Sequence, residues 1–349
     1  MMINNNESKL LVRRLPKVDL HVHLDGCVEA QTVLDLAKEQ GVELPAYERE
    51  GLLPHLQVTD DCGSLKEYLS KFDFVLPFLQ TAKALERVAY EAVRQAAEHH
   101  CLYIEVRFAP QLHRRRGLTV DETIRHVIAG LHRGEREFGV KARGIAICMR
   151  HHSVADNLEV VEGAARFKGK GLAAVDLAGD EASFPPGLFR EVFAASRERG
   201  LPVTIHAGEA AGADNVYEAV VNLGAVRIGH GVRMKENEAV LEMIRERRIP
   251  LEMCPVSNIQ TKAVSCWDAY PIREYFDHGI VVTVNTDNPG VSGTTITKEY
   301  EVLADTFGFT PAEIAVLIMN GVGAAFLEED EKRVLRQEFG MRMKELGVL

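Results

Sequence analysis

Asp19-Leu20-His21-Val22-His23-Leu24-Asp25-Gly26 decides how this chain is read. Val18, Leu20, Val22 and Leu24 alternate with Asp19, His21, His23 and Asp25. A period of two marks a strand, so the two histidines project from one side of a sheet. Imidazole is a common zinc ligand, and two same-side rings one residue apart can grip one ion. The same spacing also suits two hydrogen-bonded core histidines, and the pair alone does not choose between them.

Working outward, seven further runs rich in β-formers follow: 102–108, 144–149, 171–177, 202–206, 226–230, 249–254 and 280–287. Helical patterns separate them, at 82–100, 120–138, 188–199, 215–223, 239–247 and 271–278. In the second of these, Ile124, Val127, Ile128 and Leu131 share one face. Gly139, Gly200 and Gly279 stand where helix C-caps prefer glycine. Strands alternating with helices predict an α/β fold, a parallel (β/α)₈ TIM-type barrel. A doubly wound open sheet is the alternative, but no Gly-rich phosphate fingerprint follows any strand. About seventy residues, Ala30 to His100, separate the first two strands, so extra helices are inserted after strand 1. Within them Leu65, Tyr68, Leu69 and Phe72 share a helical face, fit either for packing or for an apolar lid over the barrel mouth. Thr310-Pro311-Ala312-Glu313 reads as a helix start.

The 349 residues fit one barrel domain, residues 15–349, behind a charged tail of residues 1–14. A net charge of -10 disfavours a nucleic-acid partner, and Arg114-Arg115-Arg116 is too short a cluster to reverse that. The six cysteines are scattered without a C-x-x-C pair, as expected of buried thiols in a reducing compartment. Residues 1–14 lack the apolar stretch of a signal peptide, and no run approaches the ~18 apolar residues of a membrane span. These features predict a cytoplasmic protein without a membrane partner.

Polar residues gather at the C-terminal strand ends, which converge on one mouth in a barrel. They are His21, His23 and Asp25; Asp176 and Gly179-Asp180-Glu181; His206-Ala207-Gly208-Glu209; His230; Cys254-Pro255-Val256-Ser257-Asn258; and Asn285-Thr286-Asp287-Asn288. Three histidines and an aspartate from strands one, five and eight make an N₃O set suited to Zn²⁺, with a position left for water.

With K-V-D-L-H-V-H-L-D-G, Y-I-E-V-R-F-A-P, V-D-L-A-G-D-E, T-I-H-A-G-E, R-I-G-H-G-V, C-P-V-S-N and V-N-T-D-N-P in this order, the chain resembles the adenosine deaminase family of metal-dependent hydrolases. The motifs run from Lys17 to Pro289. The resemblance implies a (β/α)₈ barrel and one Zn²⁺ held by His21, His23, His206 and Asp287. It implies that Glu209 protonates purine N1, that His230 orients and stabilises the hydroxide attacking C6, and that Asp287 takes a proton from the water. Gly179 would offer its N–H to purine N3, Asp25 would bind a ribose hydroxyl, and His23 would also touch substrate. Leu65, Tyr68, Leu69 and Phe72 would form part of the lid. Binuclear relatives carry a bridging lysine at the end of strand four, where this chain has Asp176-Leu177-Ala178. The H-x-E and P-C-x-x-C pattern of the cytosine-type zinc deaminases is absent.

The chemistry fits. Displacing the amine breaks the ring's aromaticity at C6, and a proton on N1 makes C6 electrophilic. Glu209 can supply it if burial keeps its carboxyl protonated near neutrality. One position departs from the commonest family pattern: Asn288 stands where many members have a second aspartate facing N7. An amide NH₂ donates to that acceptor at any pH.

The expected reaction is hydrolytic deamination of adenosine and 2′-deoxyadenosine to inosine and 2′-deoxyinosine, releasing ammonia, in purine salvage. The alternative is a deaminase of adenine or of a 5′-modified adenosine, such as an aminofutalosine- or methylthioadenosine-type nucleoside. A catalytically dead binding protein is the non-enzymatic alternative. The expected partner is a small purine nucleoside, and the sequence leaves monomer or homo-oligomer open.

Overall fold

The structure, a computed structural model, describes residues 5–59, 62–63 and 65–348, with side chains from residue 9 onward except those of Leu65 and Lys66. Eight strands carry the predicted apolar runs: β1 (Lys17–His23), β2 (Cys101–Phe108), β3 (Lys141–Met149), β4 (Leu172–Ala178), β5 (Thr204–Ala207), β6 (Arg227–His230), β7 (Leu251–Met253) and β8 (Val282–Val284). All six ladders are parallel, in two four-stranded sheets ordered β1-β2-β3-β4 and β5-β6-β7-β8. Two single bridges join the sheets into a barrel. One is Val175↔Val203, where Val175 N–H donates to Pro202 at 3.0 Å. The other is Val22↔Asp287, where His23 N–H donates to Asp287 O at 2.8 Å and Asp287 N–H to His21 O at 2.7 Å. The β8–β1 seam is thus made by the backbone of three candidate ligands.

Parallel strands need crossovers, and helices supply them. In order they are α1 (Asn5–Arg14), α2 (Ala30–Gln40), α3 (Arg49–Leu56), α4 (Leu65–Val75), α5 (Ala82–Glu98), α6 (Val120–Phe138), α7 (Val154–Phe167), α8 (Arg190–Glu198), α9 (Ala213–Val221), α10 (Glu238–Arg247), α11 (Pro255–Gln260), α12 (Ile272–Asp277), α13 (Pro289–Ser292), α14 (Ile296–Phe307), α15 (Pro311–Ala324) and α16 (Glu329–Glu345). The amphipathic face of α5, with Leu85, Val88, Ala89, Ala92, Val93 and Ala96, is buried. α2, α3 and α4 fill the long interval after β1. The segment read as a tail is helical from Asn5 to Arg14, and Val12 on it is buried. The periodicity passed over α7, yet Ser153 and Asp156 form a capping box at its start. Thr310 and Glu313 do the same for α15, as expected.

One departure from strict alternation shapes the site. On β1, Asp19 pairs with Ile104 but Val22 pairs with Val106, so β1 spends three residues where β2 spends two. The bulge turns Asp19 and Val22 onto the same outer face, lining a cavity of about 300 Å³ against α5. His21 and His23 both point inward. Counting by twos puts Asp19 with the histidines; the bulge removes it.

Candidate active site

The inward face of β1 delivers His21 and His23, β5 delivers His206, and the turn after β8 delivers Asp287. One donor atom from each lies within 4.8 Å of the others. Asp287 Oδ1 is 3.4 Å from His21 Nε2 and 3.3 Å from His23 Nε2. His23 Nε2 and His206 Nε2 are 3.3 Å apart. Each of two rings is held from behind: His21 Nδ1 meets Glu252 Oε2 at 2.8 Å, and His206 Nδ1 meets Asp176 Oδ2 at 3.0 Å. A carboxylate behind Nδ1 accepts a hydrogen bond from Nδ1–H, which fixes the proton there and leaves the Nε2 lone pair facing inward. His21 Nε2 is fully buried with no hydrogen-bond partner. An orphaned ring nitrogen in an N₃O cluster is what a bound divalent cation satisfies, so the residues fit a metal.

Burial drives the His21 ring down to about 4, so it is neutral and able to ligate. Burial opposes ionisation of Asp176, yet His206 and Arg107 hold its carboxyl below the usual range. Asp287 is held down as well: against desolvation, the His21, His230 and His23 rings pull its carboxyl well below that range. Ser257 Oγ donates to Asp287 Oδ2 at 2.6 Å.

Glu209 and His230 stand beside the cluster, with Glu209 Oε2 3.6 Å from His230 Nε2. Desolvation raises the Glu209 carboxyl above its ordinary range, with His230 partly opposing. His230 and Asp287 adopt left-handed backbone, φ +64° and +62°. For non-glycine residues that conformation is uncommon and gathers at functional sites. Gly229 precedes His230 because a Cβ there would stand 3.1 Å from His21 Cε1 and 3.2 Å from His206 Cα.

Asp25 lies in the 3₁₀ turn Asp25–Cys27 directly after β1, and burial pushes its carboxyl up to about 6. Gly179 is exposed past the end of β4 at φ +109°, which favours glycine. Asn288 is buried with its Oδ1 unpaired. On α4, Tyr68 is buried and its hydroxyl hydrogen-bonds Ser292 Oγ at 2.8 Å. Phe72 packs on the small cluster of Val58, Cys62, Tyr68 and Val291, whereas Leu69 is half exposed. The Leu65 side chain lies outside the described residues.

The profile of the family described as adenosine deaminase matches residues 16–340. The chain belongs to the adenosine deaminase family. A curated adenosine deaminase of Clostridium botulinum (strain Okra / Type B1) is 43% identical over 325 residues, covering 93% of this chain and 97% of the relative. Among solved structures, an adenine deaminase from Arthrobacter aurescens superposes with a TM-score of 0.87 at 28% identity, over 95% of this chain and 99% of that one. An amidohydrolase from Burkholderia ambifaria, solved with bound Zn, superposes with a TM-score of 0.88 at 25% identity, over 100% and 97%.

Within this family frame, further side chains support the site that sequence reading gave no role. Arg107 donates to Asp176 at 2.9 Å and to Glu252 at 2.7 Å, linking the carboxylates behind His206 and His21. Glu252 also receives Arg227 Nε at 2.6 Å. Glu181 accepts the N–H groups of Gly208, Glu209, Ala210 and Ala211 at 2.8–3.0 Å, so the loop carrying Glu209 is wrapped around its carboxylate. Ser257 and Asn258 come from C-P-V-S-N. The signal was present: charged residues at alternate positions of strands buried on both faces must have partners there.

Proposed function

We propose that this chain hydrolyses adenosine and 2′-deoxyadenosine to inosine and 2′-deoxyinosine with release of ammonia. The observation that carries it is the Glu209 carboxyl, raised by desolvation, on the loop three residues beyond His206 and against His230. One Zn²⁺ per chain, held by His21, His23, His206 and Asp287, is part of the reading. When bound, it supplies the Lewis acidity that makes water a nucleophile near neutral pH. Glu209 holds a proton for purine N1, which draws electron density from C6. Asp287 orients the water and takes its proton; Ser257 holds the other carboxylate oxygen. His230 Nε2 points at the same space and stabilises the attacking oxygen. His23, Asp25, Gly179 and Asn288 position the nucleoside, and Tyr68, Leu69 and Phe72 on α4 cover it. The proton that Asp287 took passes to the amino group, which leaves as ammonia as C6–N breaks.

Asp25 favours a ribose-bearing substrate, since relatives taking the free base often have glutamate there. The likeness to an adenine deaminase keeps adenine, or a 5′-modified adenosine, as the second reading. We place the protein in the cytoplasm with a purine nucleoside as its partner; its net charge of -10 opposes a nucleic-acid substrate. Among the described residues no helix is long and apolar enough to cross a membrane.

The test follows the ultraviolet change on mixing metal-analysed protein with adenosine, adenine and 5′-substituted adenosines. Rapid loss of the adenosine band, with Glu209→Gln losing about 10²–10⁴-fold in kcat while keeping its metal, is expected. Turnover of adenine alone would move the specificity. Full activity of Glu209→Gln would overturn the mechanism.

A further inference from the structure

Asn258 is fully buried on α11, and its carboxamide lies between His230 and the aromatic residue Tyr270. Its Nδ2 is 3.0 Å from His230 Nδ1. Its Oδ1 is 3.0 Å from the Tyr270 hydroxyl and 3.4 Å from the backbone N–H of Cys254. A backbone N–H can only donate, so the amide end facing Cys254 has to be the oxygen. The end facing His230 is then the NH₂, which offers hydrogens alone. His230 Nδ1 must meet it with a lone pair, and a neutral ring with an unprotonated Nδ1 carries its proton on Nε2. That nitrogen is the one facing Glu209.

We infer that Asn258 is a positioning residue that fixes the tautomer of His230, so that the ring presents an N–H donor, and no lone pair, to the active-site space. The consequence is a division of labour. His230 can donate a hydrogen bond to the oxygen that attacks the ring but cannot take its proton, which leaves that task to Asp287. A second group of donors, His230, Cys254 and Asp287, has atoms within 4.8 Å of one another and would otherwise be open to a second cation. With the Nδ1 lone pair engaged by Asn258 and Nε2 protonated, His230 has nothing to offer a metal, and the site stays mononuclear. Tyr270 stands behind the amide, buried and packed edge-on to Trp267 and at a tilt to Phe307, and a flipped amide would turn its NH₂ onto the Cys254 N–H.

The role of the donor in catalysis rests on the deaminase reading; the tautomer does not. The first readout therefore needs no substrate. Protein labelled with ¹⁵N-histidine and loaded with zinc should show, for His230, an unprotonated Nδ1 and a protonated Nε2, the resonances assigned by their loss in His230→Gln. In Asn258→Asp a carboxylate replaces the donor without changing shape, and both Tyr270 and Cys254 can still donate to it. Nδ1 should gain a proton, and at pH 8.5 kcat should fall about 10²–10⁴-fold, the scale of a wrong-tautomer histidine. KM should move less than about threefold, with metal still at one per chain. Asn258→Leu removes the donor without adding an acceptor and should show both tautomers with a smaller loss. A protonated Nδ1 in the unaltered protein, or unchanged kcat in Asn258→Asp, would overturn the assignment. If the unaltered protein fails to turn over adenosine, the deaminase reading falls, and the nitrogen spectrum still decides the tautomer.

Discussion

In the proposed reaction Glu209 has to hold a proton that an ordinary carboxyl would have lost. Its ionisation is pushed upward by desolvation, so the protonated form persists to higher pH than in a free glutamate. Deamination needs that form, so kcat/KM should fall as pH rises through the shifted value. Opening the surroundings to water should move this alkaline limb to lower pH, and a pH–rate profile of Glu181→Ala reads it. That change removes the acceptor for four backbone N–H groups and frees the Glu209 loop. An alkaline limb left in place in a folded Glu181→Ala protein would contradict this role. At the metal cluster, Asp176→Asn puts an amide behind His206, where the ring is held at 3.0 Å by a carboxylate. Loss of such a partner typically weakens metal binding 10–100-fold, which competition with a chelator measures. The primary residues of this site were legible because each carries its own chemistry in a short motif. Their supports were not, because what makes Asp176 or Glu252 important is the ring opposite, and that neighbour comes from another strand.

Among the elements, α4 and α14 bear on the site from outside the barrel. Tyr68 ties α4 to α13 through Ser292 at 2.8 Å and reaches Ser257 at 3.4 Å, the same hydroxyl that bonds Asp287. Tyr68→Phe should cost about 1 kcal/mol and raise amide exchange across α4 more than elsewhere. Unchanged exchange in α4 would show that packing alone holds it. On α14, Glu299 is fully buried, accepting Thr294 Oγ1 at 2.6 Å and the Val256 N–H at 3.1 Å. Desolvation pushes its carboxyl up to about 8. An acid whose folded value is raised contributes stability that is complete below its unfolded value, about 4.3, and is lost as pH rises through the folded one. Between pH 5 and 8 the protein should therefore lose up to about 1.4 kcal/mol per pH unit from this group. Glu299→Gln, neutral at all pH and able to bond both partners, should flatten that slope in urea titrations. The sequence shows α14 only as a charged segment after the last motif; that it buries a carboxyl under α11 depends on packing that no periodicity encodes. The missed α7 is different, since its Ser153–Asp156 cap is local and readable. The bulge in β1 lies between these cases: alternation correctly put His21 and His23 together, but the extra residue that removes Asp19 from their face is visible only in the pairing with β2.

The whole molecule organises its charges inside the barrel. Tyr103, Glu105 and Arg107 alternate along β2 and are buried with almost no exposure, as are Asp176, Arg227 and Glu252 from three other strands. Arg107 bonds Asp176 and Glu252, Arg227 bonds Glu252 and Glu105 at 2.6 Å each, and Glu105 accepts the Tyr103 hydroxyl at 2.7 Å. This chain of ion pairs crosses from one four-stranded sheet to the other. It therefore supplements the two bridges that close the seams, and it includes the carboxylates behind His21 and His206. Stability and metal binding thus share one network. Breaking a buried pair by removing one partner costs about 3–5 kcal/mol, because the remaining charge is left without compensation. Arg107→Met, similar in length but uncharged, takes a buried cation from two carboxylates at once, leaving Glu252 to Arg227 and the His21 ring, and Asp176 to the His206 ring. It should lower the melting temperature of the metal-free protein and weaken metal binding in the same variant. Arg114→Met, which breaks an exposed pair with Glu159 at 2.8 Å, should do neither, since such surface pairs are worth ~0–1 kcal/mol. Calorimetry with and without zinc separates the two effects. If Arg107→Met lowered melting but left the zinc-induced rise intact, the barrel's charges would support the fold alone, and the histidines would take their aim from Asp176 and Glu252 without help from the guanidinium.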